Sequence, residues 1–127
     1  MDFRLESSLQ NWLKENNLVD DIDIISEAGS CKDFVAEENI TDSEYLFKQI
    51  DLSYNLHNMR TVYLTQHEDC GAYGGTDSHG GIEVEKEKLL LDMKKLKDLL
   101  FNKYQDLQVK MIWINKAGDS WQFEQIN

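Results

Sequence analysis

Proline is absent from this 127-residue chain, cysteine occurs only twice and histidine three times. The missing proline is unusual and says nothing about a site. The scarcity of cysteine, with no signal-like apolar N-terminus, fits a cytoplasmic protein that keeps its thiols reduced. No apolar run is long enough to cross a bilayer. Basic residues are also few: 13 Lys and Arg stand against 24 Asp and Glu, a formal charge of -11. That balance repels a nucleic-acid backbone or an anionic membrane face, which leaves small molecules and other protein chains as partners. The length gives one domain, residues 1–127, large enough to bury a core without staples.

What the chain does have is an organising stretch, Thr61-Val-Tyr-Leu-Thr-Gln-His67-Glu-Asp-Cys70-Gly71-Ala-Tyr-Gly74-Gly75. Thr61 to Thr65 is an unbroken β-branched, aromatic and aliphatic run, which reads as a strand buried on both faces. It stops at His67. A His-x-x-Cys pair followed by a glycine-rich turn places an imidazole and a thiol at the carboxyl edge of a sheet, where open α/β folds hold ligands. Imidazole nitrogen and thiolate sulfur are also the donors that suit zinc best. A core histidine beside a buried free cysteine is the alternative reading of such a pair. A Cys31–Cys70 disulfide ranks below metal binding, because His67 shares the turn of the second cysteine.

Around this stretch the pattern alternates. Leu5, Leu9, Trp12 and Leu13 fall at helical spacing over Leu5 to Asn17, and Ile22, Ile24 and Ile25 make a β-branched strand that runs into Ala28-Gly29. Thr41-Asp42-Ser43 offers N-caps for a helix to about Asn58, on whose apolar stripe His57 reads as structural. The segment Gly74 to Gly81 reads as a flexible polar loop, with His79 as a loose loop histidine, an accessory ligand or a proton shuttle. The longest helix, Glu83 to Tyr104, carries Leu89, Met93, Leu96 and Leu100 on one face. Leu107 to Ile114 is a further strand, and a turn at Lys116 to Asp119 returns the chain as Ser120 to Ile126. The expected fold is α/β: a largely parallel sheet flanked by helices, closed by a C-terminal antiparallel hairpin.

Ser43 to Gly71, with His67-Glu-Asp-Cys70-Gly71-Ala72 at its end and Ile22-Asp-Ile-Ile25 with Ala28-Gly29 before it, resembles the β-class carbonic anhydrases, in particular small divergent bacterial and archaeal members. The resemblance implies a zinc-dependent lyase that hydrates carbon dioxide reversibly by zinc-bound hydroxide, with His67 and Cys70 as metal ligands and a homodimer or higher homo-oligomer as the unit. In that family a third ligand comes from a Cys-x-Asp-x-Arg motif on the first strand, whose Asp–Arg pair keeps the fourth zinc position open. Two places compete for this motif. Cys31-Lys-Asp33-Phe-Val35 has valine where arginine belongs, and could supply Cys31 and Asp33 as alternative ligands. Met1-Asp2-Phe3-Arg4 has both Asp2 and Arg4 but begins one residue after the cysteine's place. Only Asp2 and Arg4 leave room for the family's order of elements, with Ala28, Gly29, Gly71 and His79 near the site. The chain thus reads as starting inside the motif, with the first strand and its cysteine missing. The resemblance also admits a non-catalytic relative that keeps the fold as a metal-binding or interaction module.

Overall fold

The computed structural model describes residues 1–127. A short 3-10 turn, Phe3–Leu5, leads into helix α1, Glu6–Glu15. A one-turn helix α2, Lys32–Val35, precedes α3, Ile40–Leu56, and strand β1, Thr61–His67. A one-turn helix α4, Thr76–His79, is followed by the long helix α5, Ile82–Lys103, and then by strands β2, Gln108–Ala117, and β3, Ser120–Ile126.

The sheet has the order β1-β2-β3. β1 runs parallel to β2 with Thr61 opposite Gln108 and His67 opposite Ile114, and β2 pairs antiparallel with β3. The sheet is therefore mixed, with one parallel and one antiparallel interface, where the sequence pattern suggested a largely parallel one. Period-two alternation sends residues to opposite faces. Leu64 and Met111 join Met93, Leu96 and Leu100 of α5, Leu46 and Ile50 of α3, and Phe34 of α2 in the main core. On the other face Ile112 and Ile114 meet Leu5, with Tyr63, Trp12, Trp121 and Phe123 around them. Trp12 of α1 stacks on Phe123 at 5.4 Å between ring centres and meets Tyr63 edge-on at 5.4 Å. Helices thus cover both faces, and the aromatic contacts hold the N-terminal segment over the end of β1.

The strand expected at Ile22 to Ile25 does not form. These residues are irregular and make no backbone–backbone hydrogen bond, and Ile24 and Ile25 are exposed. A strand exists only through a ladder with a neighbour, and here there is none. The outer edge of β1 is unpaired, and a groove of about 710 Å³ lies along it, lined by Ile22, Asp23 and Ile25 on one side and by Thr61 to Thr65 on the other. His57 is also not where its spacing suggested. It caps the C-terminus of α3 in solvent, where its Nδ1 lies 2.7 Å from Asp23 and, with Ser53, pins the irregular segment down. α3 begins one residue before the expected caps, at Ile40 after Asn39.

Candidate functional site

β1 ends with two residues facing opposite ways. Gln66 is buried toward α5, where its amide nitrogen donates to the Gly29 carbonyl at 2.9 Å and contacts the Tyr73 hydroxyl, which in turn donates to Asp92. His67 is buried on the α1 side, edge-on to Trp121 with ring centres 6.1 Å apart. Its Nδ1 lies 2.7 Å from the Glu68 carbonyl oxygen. A carbonyl can only accept, so Nδ1 carries the hydrogen and Nε2 of the neutral ring keeps its lone pair for a ligand.

The backbone then turns through Asp69, whose φ of +53° is left-handed, and brings the Cys70 thiol close enough to His67 for the two groups to influence each other's charge. Burial pushes the Cys70 thiol up, but the His67 ring and the amides of Ala72 and Tyr73 outweigh it and leave the thiol below its ordinary value. Burial likewise opposes charge on His67, and Cys70, the Glu68 carbonyl and Asp2 more than offset it, so the imidazole is raised. Each group favours the charged form of the other.

Asp2 and Arg4 come to the same place. Arg4 clasps the Asp2 carboxylate, with Nε at 3.0 Å and Nη2 at 2.6 Å from Oδ2, and reaches the turn through Nη1 to Asp69 Oδ2 at 3.0 Å and Nη2 to the Asp69 carbonyl at 2.9 Å. Asp2 Oδ2 lies 3.6 Å from His67 Nε2, too far for a hydrogen bond. The Arg4 hydrogen bond holds the Asp2 carboxyl below the usual carboxylate range. Residue 1 is fixed as well, since its ammonium donates to the Glu27 carbonyl at 2.7 Å. The Ala28-Gly29 loop next to it packs on the turn: Gly29 has φ +76°, and a Cβ there would stand 3.2 Å from the Ala72 Cβ. Lys32 closes the contact by donating to the Ala72 carbonyl at 2.7 Å.

The other candidates lie elsewhere. Cys31 is fully buried in the main core, apart from Cys70 in its cluster with Leu89 and Trp113, and both thiols are free. Burial pushes Cys31 up to about 12, which leaves it a thiol at neutral pH. Asp33 is half-buried on α2. His79 sits in α4 rather than in a loose loop, and its Nε2 donates to the Tyr73 carbonyl at 2.9 Å.

The family model described as "Putative carbonic anhydrase" matches residues 1–127. The chain belongs to that family. An uncharacterized protein of Rickettsia bellii is 30% identical over 73 residues, 58% of this chain and 44% of its own length. A second, from Rickettsia conorii, is 24% identical over 112 residues, 86% of this chain and 60% of its own. The chain thus spans about half the length of these relatives. No solved structure matches it.

Family membership raises zinc, and the donors present bear on it directly. No group of three or more His, Cys, Asp or Glu side chains converges on a point that could hold a metal ion. Asp2 approaches His67, but both its oxygens are engaged by Arg4. At this end of β1, His67 Nε2 and Cys70 Sγ are two side-chain atoms whose chemistry suits zinc, short of the four that a closed tetrahedral shell takes.

Sequence reasoning missed three participants. Asp69 and Trp121 hold and cover Arg4 and His67; Asp69 lies inside the His-x-x-Cys motif but at one of its unspecified positions, and nothing in the context of Trp121 marks it. Glu85 is different. It is fully buried, with Oε2 accepting from the Asp69 amide at 3.0 Å and the Thr76 hydroxyl at 2.6 Å, and Oε1 from the Cys70 amide at 2.9 Å. It stands four residues before Leu89 on the apolar stripe of α5, and a carboxylate at a core-facing position was the available signal.

Proposed function

We propose that this chain carries part of a β-class carbonic-anhydrase site for the reversible hydration of carbon dioxide, with His67 and Cys70 as zinc ligands and Asp2–Arg4 as the pair that governs the remaining position. The observation that carries this reading is the Arg4-clasped Asp2 carboxylate 3.6 Å from His67 Nε2, brought there from the N-terminus. Bound zinc would bring the pKa of a coordinated water down to roughly 7. The residues of the chain supply the rest. The Glu68 carbonyl keeps Nε2 as the donor atom of His67. Arg4 occupies both oxygens of Asp2 and so restrains it from ligating, while the ionised carboxylate stays available to accept a hydrogen bond beside Nε2. His67 and Cys70 are two of the four donors a zinc shell takes, so the reading requires the remaining positions to be filled by a further protein donor and by solvent.

Metal content of the purified chain, measured beside carbon dioxide hydration with and without added zinc, tests the reading. The expected result is weak zinc binding with little hydration by the chain alone. Zinc bound tightly with no hydration would support the non-catalytic metal-binding module instead, and no affinity for zinc at all would rule out both.

A further inference from the structure

The first core-facing position of α5 is a carboxylate. Glu85, Leu89, Met93, Leu96 and Leu100 share one buried stripe, and all five are fully inaccessible to solvent. A buried ionised group with no cation beside it is costly unless donors surround it. No ion pair reaches Glu85, and its three hydrogen bonds come from the amides of Asp69 and Cys70 in the turn and from the hydroxyl of Thr76 at the start of α4. Two of these donors belong to the stretch that carries Cys70 and the left-handed Asp69. Apolar packing alone would be served better by another leucine at this point.

We propose that Glu85 is a positioning residue, which fixes the turn so that the Cys70 thiol faces His67 and the Asp69 carbonyl and carboxylate face Arg4. Its two oxygens divide the work. Oε1 holds Cys70, and Oε2 ties Asp69 to Thr76, so that α4 and the His-x-x-Cys turn move as one piece with the start of α5. The proposal rests on His67 and Cys70 being the ligand pair for its effect on metal, but its effect on Cys70 itself does not need metal.

Glu85→Gln keeps the size of the side chain and replaces one acceptor by an N–H group that confronts a backbone amide. Glu85→Leu continues the stripe and leaves both amides without an acceptor. In both variants zinc affinity should fall by about 10- to 100-fold, as for other residues that orient a metal ligand. Alkylation of buried Cys70 in the metal-free protein should rise by about 10-fold, because two backbone hydrogen bonds to one buried side chain hold the turn shut. Leu96→Ala, which weakens the core without touching the turn, separates a positioning role from general loss of stability and should leave the Cys70 rate within about twofold. Thr76→Val, a milder change outside the core, should raise the rate in the same direction if the Glu85 variants fold poorly. Hydrogen exchange at the Asp69 and Cys70 amides of the unsubstituted protein should be slow. Cys70 alkylation that stays unchanged or slows in Glu85→Gln, or fast exchange at those two amides, overturns the proposal. A parent protein that binds no zinc defeats the metal reading alone and leaves the alkylation result to decide the role of Glu85.

Discussion

Joining a short apolar strand that ends in cysteine directly ahead of Met1 is expected to raise zinc affinity by about two powers of ten, and carbon dioxide hydration with it. The size follows from the free energy of a complete zinc shell, about 10–16 kcal/mol over four ligands, or roughly 3 kcal/mol for each donor. The position follows from the structure. The residue 1 nitrogen donates to the Glu27 carbonyl at 2.7 Å, so a preceding residue would stand beside Glu27, at one end of the groove between Ile22–Ile25 and the open edge of β1. An extended segment there can pair with β1 and turn Ile22 to Ile25 into a strand by giving it a partner. In the extended protein, Asp2→Asn or Arg4→Ala should remove hydration while zinc stays bound, because these residues act beside the metal rather than on it. An extension that adds neither affinity nor activity would falsify the placement of the dyad.

His67→Ala combined with Cys70→Ser should abolish specific zinc binding in the chain and in its extended form. Two donors at roughly 3 kcal/mol each correspond to about four powers of ten in affinity. Ser in place of Cys70 keeps the amide that Glu85 holds, so the turn should persist and the loss report on ligation. Equilibrium dialysis against zinc reads the result. Cys31→Ser is the informative partner experiment. Cys31 lies in the main core with its thiol pushed up to about 12, so its replacement should leave zinc binding as it was. Full zinc stoichiometry in the double variant would reject His67 and Cys70, and loss of metal on Cys31→Ser alone would return the site to Cys31 and Asp33.

The parts of the fold that could be read from the sequence are those whose signal is local. The apolar run of β1, the leucine stripe of α5 and the turn between β2 and β3 each carry their own periodicity, and they appear within a few residues of where it puts them. Ile22 to Ile25 has the same β-branched character, yet a strand needs a second strand, and that requirement is invisible in the segment itself. α4 failed for the converse reason. Its four polar residues have little helical tendency, and the helix is held from outside, by Thr76 on Glu85 and by His79 on the Tyr73 carbonyl. His67 and Cys70 were singled out by their spacing, whereas Asp2 and Arg4 were singled out only by resemblance. Asp69 and Trp121 answer to contacts across the chain, which spacing does not encode.

The open edge of β1 also bears on how copies of the chain would meet. An unpaired strand is a template for another, and natural proteins guard such edges with charge. Here the groove beside the edge is bordered by Asp20, Asp21, Asp23 and Glu27, on a chain whose formal charge is -11. Two copies approaching edge to edge bring these carboxylates together, and repulsion of that kind reaches only as far as the screening length, which falls from about 30 Å at 0.01 M salt to about 3 Å at 1 M. Self-association should therefore strengthen as salt rises, the reverse of an interface built on ion pairs, and sedimentation across that range reads it directly. A mass that stays constant or falls with salt would contradict it. On that expectation the ionic medium would act as a dial on assembly, turned by the acidic rim of the groove.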